Sequence, residues 1–322
     1  MNRRVFFRKL FQALLTIFII LVINYFLFRV MPGDPAAMLV RNPRMSPEAV
    51  QKVSEMFGLG KPWYEQFGIY LANLAQGNLG TSFIYKAPVT GIIMERLLAT
   101  LLLTVVAEVL AILGGVLLGI VAAWKRGKKV DVAALGFALV TYAMPTFWLG
   151  ILMVVFFAVT LRWFPTSGMM TPSLSLAGFW QQVPDVLWHM VLPSVTLALV
   201  LMGEYALIMR NSLVDVLTED YITTARAKGA PERRVLRSHA LPNAMIPMVT
   251  LIALNLSFTI TGALQVETVF SWPGLGRLMY DALAGRDYPL LQGIFLITAI
   301  VVVGANFLTD LTYRLLDPRV KD

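Results

Sequence analysis

The chain has 322 residues, of which 57% are hydrophobic and only 14% charged, with a mean hydropathy of +0.70; this lies well outside the range of soluble globular domains. Its net charge of +8 does not mark a nucleic-acid binder, because the basic residues sit between long apolar runs and not on one soluble face. With no cysteine, disulfide frameworks, thiolate nucleophiles and Cys-based metal sites are excluded.

A bilayer core of about 30 Å needs roughly 20 apolar residues in a helix, and six runs of that kind can be found. The first, Leu10 to Val30, follows a basic start at Arg3, Arg4, Arg8 and Lys9. It is too long for a signal peptide and no small-residue cleavage site follows, so it reads as an uncleaved anchor. The segment Met31 to Arg96 mixes Pro and Gly with helix formers. Within it, Ser46-Pro47-Glu48-Ala49-Val50 predicts a capped helix start with Pro in its first turn, and the whole reads as a small external layer.

The second run, Leu97 to Ala123, carries Glu108 and, four residues apart, Gly115 and Gly119, a spacing that lets helices pack closely. The third, Val132 to Leu161, is long enough for a tilted span or two short pieces, with a kink predicted at Pro145 in Tyr142-Ala143-Met144-Pro145. Met190 to Ile208 is the fourth and carries Glu204, for which Arg210 is an expected partner near the interface. Ala244 to Leu264 and Leu290 to Leu308 complete the set. An ionisable residue inside a span is a functional candidate by default, so Glu108 and Glu204 are candidate pathway residues, with interhelical structure as the rival reading. Asn24, Asn255, Gln265 and Asn306 are expected to make interhelical hydrogen bonds.

Orientation follows from Lys and Arg, which cytoplasmic loops retain. Lys125, Arg126, Lys128 and Lys129 follow the second run. Arg210, Arg226, Lys228, Arg233, Arg234 and Arg237 follow the fourth, and Arg314, Arg319 and Lys321 follow the sixth. All fall on the side of the basic N-terminus, so both termini are expected to be cytoplasmic. Trp63, Tyr64, Trp180 and Trp272 fall outside, where they either mark the interfacial belt or contact a partner.

The segment Arg210 to Pro242 is too long for a turn. Its Leu213, Val216, Leu217, Tyr221 and Ala225 follow helical spacing, and periodicity alone leaves two readings open: a face that docks a partner, or an amphipathic helix on the membrane surface. In the same segment, Asp220-Tyr221-Ile222-Thr223-Thr224-Ala225-Arg226-Ala227-Lys228-Gly229, then Arg233-Arg234-Val235-Leu236 and His239-Ala240-Leu241-Pro242-Asn243, resembles the cytoplasmic signature of binding-protein-dependent ABC importer permeases, most of all their dipeptide, oligopeptide and nickel branch. The superfamily pattern has a Glu-Ala-Ala triplet before the Gly and a Leu-Pro at a fixed interval after it. Gly229 and Leu241-Pro242 keep that interval, whereas Thr223 and Thr224 replace the Glu and the middle Ala. Similar motifs run along the chain: Arg29-Val30-Met31-Pro32-Gly33-Asp34-Pro35, Gly58-Leu59, Lys61-Pro62, Gly77-Asn78-Leu79-Gly80, Ser82-Phe83, Glu267-Thr268-Val269-Phe270-Ser271-Trp272-Pro273-Gly274-Leu275-Gly276, Arg286-Asp287-Tyr288 and Asp317-Pro318.

The resemblance implies an all-α polytopic membrane protein of six transmembrane helices with the type I ABC importer permease fold. Residues 1–96 would form an anchor and external segment, 97–316 a permease core with a coupling loop at 210–242, and 317–322 a cytoplasmic tail. It also implies that Asp220, Tyr221, Thr224, Ala225, Arg226, Ala227, Lys228 and Gly229 form the coupling helix that ATP-binding subunits grip, with Leu241 and Pro242 ending the loop. Implied partners are a second, nonidentical permease, two ATP-binding subunits and an external solute-binding protein, with no nucleic acid. The chain itself would bind no cofactor, ATP and Mg being held by the partner subunits. Expected cargo is dipeptides or oligopeptides, with nickel complexes or oligosaccharides as the alternative.

Other classes fare poorly. No Gly-x-x-x-x-Gly-Lys-Ser/Thr loop is present, Gly58-Leu59-Gly60-Lys61 lacking the spacing. The only histidines, His189 and His239, lie in no recognisable metal-ligand motif and are expected to be structural. An intramembrane enzyme would show a zinc helix, a Gly-x-Ser-x-Gly turn or paired intramembrane aspartates. An ion-coupled secondary transporter would show an inverted repeat, and none is seen.

Overall fold

The computed structural model describes residues 3–30 and 61–316; the expected helix start at Ser46, the motifs at Pro32 and Gly58, and Asp317-Pro318 lie outside them. Among the described residues the chain is helical, and its only β pairing is an isolated bridge between Thr81 and Pro88. Arg3–Val30 forms α1, Trp63–Ala75 α2, Val89–Trp124 α3, Lys129–Ala143 α4 and Thr146–Met153 α5, which continues as π-helical Val154–Thr160. Phe179–Leu217 forms α6, Asp220–Ala227 α7, Leu241–Gly262 α8, Leu264–Val269 α9, Leu275–Ala284 α10 and Tyr288–Leu316 α11.

Four stretches are long and apolar enough to cross a membrane: Arg4–Phe28, Val89–Trp124, Phe179–Leu217 and Tyr288–Thr309. A fifth candidate is the pair Lys129–Ala143 and Thr146–Thr160, bent by 106°. The bend falls at the expected kink. Proline lacks the N–H that would bond to the preceding turn and disfavours helical geometry at the residue before it, and Met144 is extended with ψ 130°. At α4's 15 residues, about 22 Å, neither half spans alone. The fourth run is longer as a helix than as an apolar stretch: α6 has 39 residues and ends at Leu217, so the first turns of the segment expected as a loop from Arg210 are helix. They stay helical because their inner face is still packed, with Leu213 wholly buried and Val214 nearly so.

By its packing the chain divides into two compact units, Met1–Leu98 with Gly274–Phe307, and Ala99–Pro273 with Leu308–Asp322. In the first, Asn24 donates to the Gln292 carbonyl at 3.0 Å, and Phe28 packs edge-on against Tyr288. Tyr25 packs on Phe67 and Tyr70 and donates to the Trp63 carbonyl. Asp287 is wholly buried; its carboxylate accepts from the Ser82 hydroxyl at 2.5 Å, the Ile84 N–H at 3.0 Å and the Leu290 N–H at 3.3 Å. One side chain thus caps α11 and pins the turn before α3.

In the second unit α6 lies close against α3 and α4. A Cβ on Gly115 would stand 2.5 Å from Tyr205 Cβ and one on Gly119 2.8 Å from the Ala206 carbonyl oxygen, while one on Gly203 would stand 2.4 Å from the Ala138 carbonyl oxygen. The Gly115 and Gly119 spacing therefore marks a close contact, as expected, and its partner is α6. Elsewhere in this unit Glu267 is wholly buried and accepts from the Thr100 hydroxyl at 2.6 Å. Trp272 is also wholly buried, its indole N–H bonded to the Ala99 carbonyl at 2.9 Å. That corrects the expectation for Trp272, which neither marks a belt nor meets a partner, while Trp63, Tyr64 and Trp180 are exposed.

Gly203→Leu is expected to destabilise by about 1–3 kcal/mol through overpacking against backbone. Gly91→Ala, where nothing lies within 4 Å, is expected to be neutral; thermal unfolding of the two purified variants beside the parent checks both.

Candidate functional site

The polar segment after α6 folds into a short, well-anchored unit. Thr218 ends α6, and α7 begins at Asp220 after the extended Glu219. α7 stops at Lys228 because Gly229 takes φ +80°, a left-handed conformation that costs a residue with a Cβ about 1–2 kcal/mol. The Gly229 N–H bonds to the Arg226 carbonyl and the Ala230 N–H to the Ala225 carbonyl, the paired C-terminal bonds of a Schellman stop. Arg226 then pairs with Glu232 at 3.0 Å across the turn.

Ile222 anchors this unit. It is wholly buried and shares one apolar core with Met209, Leu213, Val235, Ala240, Ala244 and Met248. Asp220, Tyr221, Thr223, Thr224, Arg226 and Ala227 of α7 are exposed, as are Lys228 and Gly229 just beyond it, while Ala225 is half-buried against the same core. Tyr221 accepts a hydrogen bond from the Asn243 amide at 3.0 Å, and that amide also donates to the His239 carbonyl at 2.9 Å. Leu241 and Pro242, expected to end the loop, open α8 directly after π-helical Val235–Ala240, so the helical backbone already begins before them. The structure thus gathers the residues singled out at 220–229 into one exposed, small-residue helix on a rigid base. Ile222, Glu232 and Asn243, which hold it, were not singled out by sequence.

Glu108 and Glu204 lie on α3 and α6. Glu108 is 2% exposed and its carboxylate accepts from the Tyr205 hydroxyl. Glu204 is half-buried and accepts from the Asn255 amide of α8 at 3.1 Å, so Asn255 makes the interhelical bond expected of it. The expected pairing of Glu204 with Arg210 does not form. Arg210 turns instead to Asp131 of α4, with two contacts at 3.0 and 3.1 Å, and Asp131 also accepts from the Gly127 N–H at 2.9 Å. An unbroken helix puts Glu204 and Arg210 six residues apart, on different faces. His189 sits over Asp185, its Nδ1 2.9 Å from the Asp185 carbonyl oxygen, and Asp185 accepts from Thr171 at 2.6 and 2.8 Å.

Between α6 and α8, below Glu204, opens a cavity of about 480 Å³ lined by Ile208, Asn211, Ser212, Asp215, Val216, Glu219, Asn243, Ile246 and Pro247. None of these is cationic.

A bundle of long apolar helices defines a membrane-embedded subunit, and comparison with known proteins agrees. Residues 115–322 match the family described as binding-protein-dependent transport system inner membrane component, and residues 2–104 match the N-terminal membrane component of such systems; the chain belongs to this family. It is a multi-pass permease subunit of an ATP-driven ABC importer, with ATP hydrolysis in separate subunits. It is 36% identical to the di/tripeptide transport system permease DppB of Pseudomonas aeruginosa, over 98% of this chain and 97% of that protein. Against the glutathione transport system permease GsiC of Escherichia coli K12 the identity is 37%, over 98% and 97%. Among solved structures, the inward-facing MetNI methionine ABC transporter aligns over 70% of this chain and 96% of its own at a TM-score of 0.57 and 18% identity, which shows the fold.

Asp131→Ala leaves Arg210 and the Gly127 N–H without their carboxylate and is expected to cost about 3–5 kcal/mol, whereas Arg226→Ala, breaking an exposed pair, is expected to cost at most about 1 kcal/mol. Thermal unfolding in detergent checks the order.

Proposed function

We propose that this chain is one of two nonidentical permeases that together line the translocation path of a peptide importer. In this reading six spans cross the bilayer with both termini cytoplasmic, the sixth provided by α8. Two ATP-binding subunits, which hold ATP and Mg, grip α7, and an external solute-binding protein delivers di- and oligopeptides. Closure of the ATPase dimer displaces α7, the spans open outward to the docked binding protein, and hydrolysis with product release restores the inward-facing state. Glu108 and Glu204 belong to the path or its wall. Peptide cargo is supported by relatives whose names specify di/tripeptide, oligopeptide and glutathione transport.

The observation that carries the reading is α7 itself. Exposed Ala227 and Gly229 allow a partner's surface close to the backbone, while Ile222, wholly buried, and Ala225, packed on the same core, tie the helix down. Rim charges contribute little to such contacts, so shape outweighs Arg226 or Lys228.

Two variants separate gripping from transmission. Gly229→Arg, which puts a bulky cation where the backbone is left-handed, is expected to lose the ATP-binding subunits on affinity purification from native membranes. Ile222→Ala is expected to retain them but to lower transport per ATP hydrolysed, with a stability loss of about 2–5 kcal/mol. A parent chain that purified without any ATPase subunit would overturn the reading and advance an ion-coupled transporter.

A further inference from the structure

Glu204 sits within the apolar stretch of α6, yet is only half covered by its own chain. An ionisable group there does not face hydrocarbon; its open side meets protein or a water-filled path. Following α6 toward its C-terminal end, Ile208, Asn211 and Asp215 succeed Glu204 at steps of four, three and four residues, which is one helical face. On α8, Asn243, Ile246 and Pro247 line the opposite wall of the cavity, and Asn255, two further four-residue steps beyond Pro247, reaches Glu204. The upper end is closed by the Asn255 to Glu204 bond at 3.1 Å. The lower end is the cavity of about 480 Å³, into which Asp215 and Glu219 face. Glu204 to Asp215 covers about 16 Å of helix. Arg210, on the same helix, is drawn sideways by Asp131 and also donates to the side-chain amide oxygen Oδ1 of Asn211 at 3.2 Å. Two carboxylates, Asp215 and Glu219, thus line the cavity, which has no cationic lining residue, and a third, Glu204, lies on the same face of α6 and bonds to α8.

We propose that this α6–α8 groove is the inner half of the path and a transit site for ammonium groups, with Glu204 the entry ligand and Asp215 and Glu219 the exit. The inference rests on the peptide-importer reading and adds its selectivity. Every unmodified peptide carries one amino-terminal ammonium whatever its side chains, so carboxylates spaced along a groove hold the feature common to all such cargo. Charge-assisted contacts of this kind are strong in a site of low dielectric, and their succession along the wall lets the cargo be handed on instead of trapped. Buried Glu108, bonded to Tyr205, stands behind Glu204 and fixes its helix.

The test uses the whole transporter in proteoliposomes with saturating, cargo-loaded binding protein, so that differences in binding-protein affinity drop out. Transport of a Lys-containing and a Glu-containing tripeptide is measured for the parent, for Glu204→Gln and for Asp215→Asn with Glu219→Gln. Glutamine still offers an oxygen to Asn255, so a merely structural Glu204 would leave transport unchanged. The expected result is an about tenfold loss of transport in Glu204→Gln, the size of one lost charge-assisted contact, at parental ATPase stimulation by binding protein. A Lys-over-Glu preference is expected in the parent, falling to about one in the double variant. Parental transport by Glu204→Gln, or loss of the second permease from that variant on purification, overturns the proposal, the latter making this face a subunit interface. A parent that shows no stimulation by binding protein overturns the importer reading instead.

Discussion

Close contact between α6 and the backbones of α3 and α4 is the constraint on which the second unit depends. Between helices in lipid there is no hydrophobic drive, since lipid tails are as apolar as leucine, and association rests on van der Waals contact and hydrogen bonds. Gly115, Gly119 and Gly203 remove the side chains that would hold the helices apart. At that separation Tyr205 reaches Glu108 and Arg210 reaches Asp131, and each of these polar groups finds a partner that it would lack were the helices farther apart. The bonds in turn fix the rotation of α6 and aim Glu204 toward α8.

The same helix joins the apolar bundle to α7. One continuous apolar core runs from Ala111 on α3 through Met209 and Leu213 on α6 to Ile222 on α7. Interiors packed to such density transmit strain and do not absorb it. A push on α7 therefore reaches α6 as displacement of a packed body. The exposed Arg226–Glu232 pair keeps the turn in shape without a comparable hold on the core.

Much of this was legible in the sequence, and the rest was hidden for definite reasons. Apolar runs gave four candidate spans and, as a bent pair, a fifth, because a bilayer demands length and hydrophobicity together, and Pro145 announced its bend because the missing N–H acts locally. Gly115 and Gly119 announced a close contact but not its partner. The Glu204–Arg210 expectation failed because nearness in sequence ignores helical phase: Asp131, 79 residues away, has no signal linking it to Arg210. Trp272 was misjudged for a similar reason, since only the folded chain brings the Ala99 carbonyl to its N–H. Ile222 lay within the docking motif and passed unnoticed, an apolar residue among polar ones whose alternation with exposed neighbours was the available clue.

The break at Met144 and Pro145 bears on the surroundings of the chain. Two helices end there, leaving carbonyls at the close of α4 and N–H groups at the start of α5 outside any helical ladder, while Ala143 and Pro145 are exposed. Hydrocarbon offers such groups no hydrogen bonds, and irregular backbone survives at membrane depth only against protein or water. The bend thus maps a stretch of the perimeter from which lipid is shut out, a seam met by protein or by water.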